Sequence, residues 1–141
     1  MAYLDCSLVV DQGSSFLATK LFFTADPTVG DLTLAVPMNL SGKNARMMVR
    51  ESQDPASAIL LSLNDTGLGG IAFVTQTFAG GPALASILNV NGYNIVITKA
   101  QSLAITKTQS AYYDLFLDDP SSGLSDLWQQ GPFFVNATVT R

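Results

Sequence analysis

The chain has 141 residues, 48% of them hydrophobic and only 13% charged, about half the usual charged share of roughly 25%. That length fits one domain, residues 1–141, with a real core. Seven Lys and Arg against eleven Asp and Glu leave a net charge of −4, which argues against nucleic-acid binding and its phosphate-neutralising cation clusters. With no histidine and a single cysteine, a Ser–His–Asp triad, a Cys–His pair, a His-based metal site and an intramolecular disulfide are all excluded.

Tyr3 to Val10 alternates, with Leu4, Cys6, Leu8 and Val10 on one face, and reads as a first strand with Cys6 as a small core residue. Asp11-Gln-Gly-Ser is a turn. Phe16 to Thr24 is rich in strand-forming residues but of ambiguous parity. Asp26-Pro27 ends it, and Leu32 to Val36 reads as a short strand stopped by Pro37. After the polar turn Asn39 to Asn44, a strand runs from Ala45 to Glu51, with Ala45, Met47 and Val49 facing in and Arg46 and Arg50 out. Ile59, Leu61 and Leu63 mark the next inward face, and Gly70 to Thr77 a further strand.

From Phe78 to Gly92 the alternation lapses into a small, apolar stretch, read as a loop or one turn of helix. Tyr93, Ile95 and Ile97 resume it. Thr98 then fits the N-cap of a short helix reaching Ile105.

The clearest pattern is C-terminal. Ala111, Tyr113, Leu115 and Leu117 take one face of a strand, and Tyr112, Asp114, Phe116 and Asp118 the other. Asp119-Pro120 and Ser122-Gly123 supply a turn. A short strand, a bulge and a long final strand follow, with Phe133, Val135, Ala137 and Val139 inward. About eight or nine strands with hardly any helix predict a Greek-key sandwich or barrel.

Few features suggest chemistry. Asp114, Asp118, Asp119 and Asp126 lack the spacing of a calcium-binding loop and read as solvated carboxylates. Gly67-Leu-Gly-Gly70 and Gly80-Gly81 lack the Lys-Ser/Thr of a phosphate loop. Asn136-Ala-Thr138 matches a glycosylation sequon. Tyr113 stands two residues before Leu115, the spacing of a tyrosine corner, although an amphipathic residue at the core edge is the plainer reading. No catalytic, cofactor-binding or metal-binding residue is assigned, and a non-enzymatic chain is expected. No basic-plus-apolar leader and no apolar run of about 18 residues is found, so no membrane partner is expected.

Three blocks, in order, resemble a family of phage structural proteins: Asp11-Gln-Gly-Ser-Ser-Phe16; Met38-Asn-Leu-Ser-Gly-Lys-Asn-Ala-Arg-Met-Met-Val-Arg50; and Tyr113-Asp-Leu-Phe-Leu-Asp-Asp-Pro-Ser121 with the closing stretch Gly131 to Arg141. The chain is similar to the Ig-like module of phage tail and baseplate proteins, specifically the N-terminal domain of baseplate upper proteins. The resemblance implies an all-β, Ig-like Greek-key β-sandwich of about eight strands with at most one short helix. It also implies a non-enzymatic virion subunit in the tail, baseplate or fibre-attachment region. Such a subunit would be made in the host cytoplasm, present in several symmetric copies, and bound to other virion proteins without any cofactor. A capsid decoration protein is the alternative. A carbohydrate-binding module is another, with Tyr112, Phe116, Trp128 and Phe134 as aromatic platforms.

The chain departs from that pattern in two longer, nearly uncharged segments, Asp26–Val36 and Ala79–Asn91. Their apolar side chains Leu32, Leu34, Leu84, Ile87 and Leu88 are the candidate partner contacts. Burial of these five within one subunit would make the segments lids; exposure would make them docking surfaces.

Overall fold

The computed structural model describes residues 4–24, 30, 32–66, 69–105 and 111–136. Eleven strands among them form an Ig-like β-sandwich, with one α-helix, α1 (Lys99–Ala104), of six residues. The larger sheet holds β1 (Leu4–Asp5), β2 (Leu8–Asp11), β6 (Asn44–Arg50), β7 (Ile59–Asn64), β10 (Tyr112–Asp119) and β11 (Leu124–Asn136). Its order is β1-β11-β10-β6-β7, with β2 also on β11. The smaller sheet is β3 (Phe16–Leu21), β9 (Gly92–Ile97) and β8 (Ile71–Val74), in that order. A two-residue pair, β4 (Phe23–Thr24) with β5 (Val36–Pro37), closes one end. Hairpin-type neighbours (β6–β7, β8–β9, β10–β11) are joined to strands distant in the chain by the pairs β6–β10, β3–β9 and β1 and β2 with β11, as Greek-key connections require.

The pleat decides what is buried. In β10, Tyr113, Leu115 and Leu117 are all within 1% of full burial, while their neighbours Tyr112, Asp114, Phe116 and Asp118 are half-exposed. Phe133 and Val135 do the same in β11, and Ala45, Met47 and Val49 in β6. With Leu61, Ile95 and their neighbours they make one core between the sheets. Val139, expected in that core, lies outside the described residues.

Several boundaries differ from the sequence reading. The first strand is split into β1 and β2, both parallel to β11, and Cys6 between them keeps its inward place, half-buried and packed against the core. The break lies at Gly131 and Pro132. A Cβ on Gly131 would collide with the Cys6 carbonyl, and Pro132 has no N–H to offer a ladder. Ile59, expected inward, is 49% exposed because a register shift at Val49/Arg50 ends the regular pairing of β6 with β7 there. Leu32–Leu34 is a turn of 3-10 helix rather than a strand, and Leu84–Ser86 is another. Thr98 caps α1 as expected. Its hydroxyl accepts from the Gln101 N–H at 3.2 Å, and the Gln101 side chain accepts from the Thr98 N–H at 2.9 Å.

Candidate interface on the outer sheet face

Three connections meet at one end of the sandwich. Phe22 N–H donates to Asn91 O at 2.9 Å and Leu40 N–H to Val90 O at 2.8 Å, tying the segment between β3 and β6 to the one between β8 and β9. Phe23 and Phe78 meet edge to face at 4.9 Å. Lys43 reaches Asp119, beside the β10–β11 turn, at 3.9 Å. That turn is held by Asp119, which accepts from the Ser121 N–H at 3.0 Å and the Ser121 hydroxyl at 2.7 Å, and by Gly123 at φ 74°.

The candidate contact leucines divide at this end. Leu34 is 66% exposed, Leu84 53% and Leu88 86%, and Val36 beside Leu34 is open as well. Ile87 is 5% exposed and belongs to its own subunit's interior, so it is not a partner contact in the folded chain. The side chain of Leu32 lies outside what the structure describes. The long segment between β8 and β9 is therefore pinned by Ile87, and by the buried Asn91 side chain bonding the Gln76 N–H and carbonyl, while it presents Leu84 and Leu88 outward.

The aromatic platform does not form as expected. Trp128 is buried, at 5% exposure, edge-on to Phe22 at 4.8 Å. It is the extra residue of a bulge in β11, since Leu115 pairs with Gln129 and Phe116 already with Leu127. Its indole N–H has no hydrogen-bond partner among the described residues. Only Tyr112, Phe116 and Phe134 reach the surface, and the Arg46 guanidinium sits 4.6 Å above the Phe116 ring centroid.

Tyr112 and Phe116 belong to a face that the sequence alone did not single out. The register places Arg46 beside Phe116, Met48 beside Asp114 and Arg50 beside Tyr112, a checkerboard across β6 and β10. Arg46 Nε donates to Asp118 Oδ2 at 3.0 Å, and Asp118 also accepts from the Ser125 hydroxyl. Burial raises the Asp118 pKa, but those two hydrogen bonds outweigh it and leave the value lowered. Arg50 Nη1 donates to the Ser57 carbonyl at 2.9 Å, and Nη2 lies 3.6 Å from Met48 Sδ. Asp114 is different. It is half-buried, its carboxyl has no hydrogen-bond partner among the described residues, and desolvation pushes its pKa up against the opposing pull of Arg46 and Arg50.

The other acidic residues show no site. Among the described residues no group of three or more His, Cys, Asp or Glu could hold a metal ion. The Tyr113 hydroxyl makes no tyrosine corner. It donates to the Cys6 carbonyl at 2.6 Å, in the connection between β1 and β2, and accepts from Gln129 Nε2 at 2.9 Å.

No protein-family model matches the sequence, and no curated protein matches it. Among solved structures, the chain is similar to a voltage-gated sodium channel β subunit studied for multimeric cell-adhesive interactions. The identity is 14%, over 95% of this chain and 92% of that one, with a TM-score of 0.38. It is similar as well to the extracellular domain of the sodium channel β4 subunit, solved as parallel homodimers: 13% identity, 99% and 97% coverage, TM-score 0.38. Superposition that loose says nothing about what this chain binds.

Proposed function

We propose that the chain is a non-enzymatic structural subunit of a phage virion, placed in the tail, baseplate or fibre-attachment region and working by protein–protein assembly in several copies. The observation that carries the assembly reading is the outward display of Leu34, Leu84 and Leu88, 53–86% exposed, on two long segments poor in charge. Leucines exposed to this extent on segments held by Phe22, Ile87 and Asn91 gain nothing in water. Covering them by a neighbour contributes roughly 25 cal/mol per Å² of apolar area, less the ordering costs of association. The virion placement rests on the three sequence blocks. The burial of Trp128 and the Arg46 lid on Phe116 count against a glycan platform.

Mass spectrometry of purified particles tests the placement, and cross-linking within them identifies the neighbours. The expected result is the chain in stoichiometric, multicopy amount, with cross-links from segments 30–43 and 75–91. Replacing Leu84 and Leu88 together by Ser should leave the fold intact and reduce incorporation. Absence from particles, with the chain found only free in lysate, overturns the virion reading; unchanged incorporation of the double variant overturns the role of the leucines.

A further inference from the structure

We propose that the outer face of β6 and β10 is a self-recognition surface, on which a second copy of this chain docks about a two-fold axis running along the strands. This deepens the assembly reading by naming one partner, and it stands on a different surface from the exposed leucines.

The argument starts from charge. The chain carries a net charge of −4, so two copies repel at long range and can meet only where the signs are matched locally. On this face they are. Arg46 and Arg50 lie on β6, and Asp114 and Asp118 on the adjacent β10. A foreign basic partner would be opposed by the two arginines, and a foreign acidic one by the two carboxylates. A second copy turned about the strand direction meets neither penalty, because the half-turn lays β6 of one copy over β10 of the other.

The register then decides what meets what. Arg46 pairs with Phe116, Met48 with Asp114 and Arg50 with Tyr112 within one chain. After the half-turn, Arg46 and Arg50 of the second copy lie over Phe116 and Tyr112, and Asp114 falls between those two guanidiniums. Within one chain Arg46 already lies over Phe116 and donates to Asp118, so in the dimer each Arg46 exchanges that ring and that carboxylate for the same groups of the other copy. Asp114 is the residue that makes the face read as incomplete. It is half-buried at the centre, with no hydrogen bond among the described residues and a pKa raised by desolvation. A carboxylate left in that condition needs donors, and Arg is the side chain suited to supply them in pairs.

The test is sedimentation of the purified full chain over a range of concentrations, with paired charge reversals. The expected result is a reversible dimer that weakens as salt is raised. Asp114→Lys should raise the dimer dissociation constant by at least about tenfold, since it sets a cation against two arginines of the other copy. Arg46→Asp with Arg50→Asp should do the same by opposing Asp114 with carboxylates. Mixing the two variants should restore association as a heterodimer, because each then offers what the other lacks. Thermal unfolding of each variant alone shows that it is folded. Leu88→Ser, at the end of the sandwich, should leave the dimer unchanged. A monomer at every concentration overturns the proposal, as does a dimer indifferent to Asp114→Lys or a mixture that fails to associate. Incorporation into particles is measured separately, so a chain that assembles with other virion proteins but never with itself refutes this inference alone.

Discussion

Replacing Gln129 by Leu probes the polar link between the two sheets. Gln129 has no exposure, and its Oε1 accepts from the Tyr93 hydroxyl at 2.7 Å while its Nε2 donates to Tyr113 Oη at 2.9 Å. Tyr113 in turn donates to the Cys6 carbonyl at 2.6 Å. Burial raises both tyrosine pKa values far above the ordinary one, so both stay protonated donors across any usable pH. In Gln129→Leu, Tyr113 keeps Cys6, but the Tyr93 hydroxyl is stranded in a site with no solvent exposure. A stranded buried polar group costs about 1–3 kcal/mol, and about 2 is expected here. For a domain of this size that lowers Tm by roughly 5–10 °C. Tyr93→Phe alone strands the Gln129 carbonyl at a similar cost, while the double variant removes both partners. The double variant should therefore be more stable than the sum of the singles predicts, by about 2 kcal/mol. Urea unfolding of the four proteins, followed by Trp128 fluorescence and circular dichroism, measures the cycle. Additive singles, or a Gln129→Leu variant within about 0.5 kcal/mol of the parent, would refute the link.

Three further outcomes are expected. Leu115→Ala should cost about 2–5 kcal/mol, because the side chain is fully buried at the middle of β10; retention of parent stability in urea would remove it from the core. Gly131→Ala should cost about 3 kcal/mol through overlap with the Cys6 backbone, and should abolish hydrogen-exchange protection of the Cys6 N–H, which donates to Gln130 O at 2.9 Å. The two carboxylates of the outer face should respond oppositely to pH. The lowered pKa of Asp118 means that its contribution is present above the unfolded carboxylate value and lost as pH falls through the folded one, so Asp118→Asn should destabilise at pH 7 and be neutral in acid. The raised pKa of Asp114 means a penalty at neutral pH that is relieved by acid, so Asp114→Asn should be no less stable than the parent at pH 7. Urea midpoints at both pH values decide this, and like-signed responses would contradict the assignment.

Period-2 alternation made the interior legible wherever one face of a strand meets the core, as in β10, β11 and β6, and the cap at Thr98 was readable because its hydrogen bonds are local. What failed was set by distant residues. The break of the first strand at Cys6 cannot be seen without knowing that Gly131 lies against it, nor the outward turn of Ile59 without the register shift against its partner strand. The Leu32–Val36 run has strand composition, but only Val36 and Pro37 find a partner, in β4. The outer face was half-legible: Arg46, Arg50, Asp114 and Phe116 were each read as outward, yet their meeting depends on β6 lying next to β10, more than sixty residues away in sequence. Trp128 was misplaced because a bulge inverts the parity of its stretch relative to β10.

An antibody-type sandwich joins its sheets by a disulfide whose second cysteine stands two residues after the tyrosine of the penultimate strand. Here that place, two after Tyr113, is held by Leu115, and the only cysteine lies between the edge strands β1 and β2. The chain Tyr93–Gln129–Tyr113–Cys6 does a related task by other means. It runs from β9 in one sheet through β11 and β10 in the other to the segment between β1 and β2. Hydrophobic packing alone would tolerate a sliding of one sheet over the other, since leucine meets isoleucine equally well a residue away. Directional bonds to a side chain without solvent access do not, because any slip strands a donor. The network therefore fixes the alignment of the sheets, and with it the position of the N-terminal edge, in a fold that has no covalent tie between them. The register of β10 on β6, which sets Asp114 between Arg46 and Arg50 on the outer face, is fixed separately by the backbone ladder of those two strands, so the network aligns the sheets while the ladder aligns the charges.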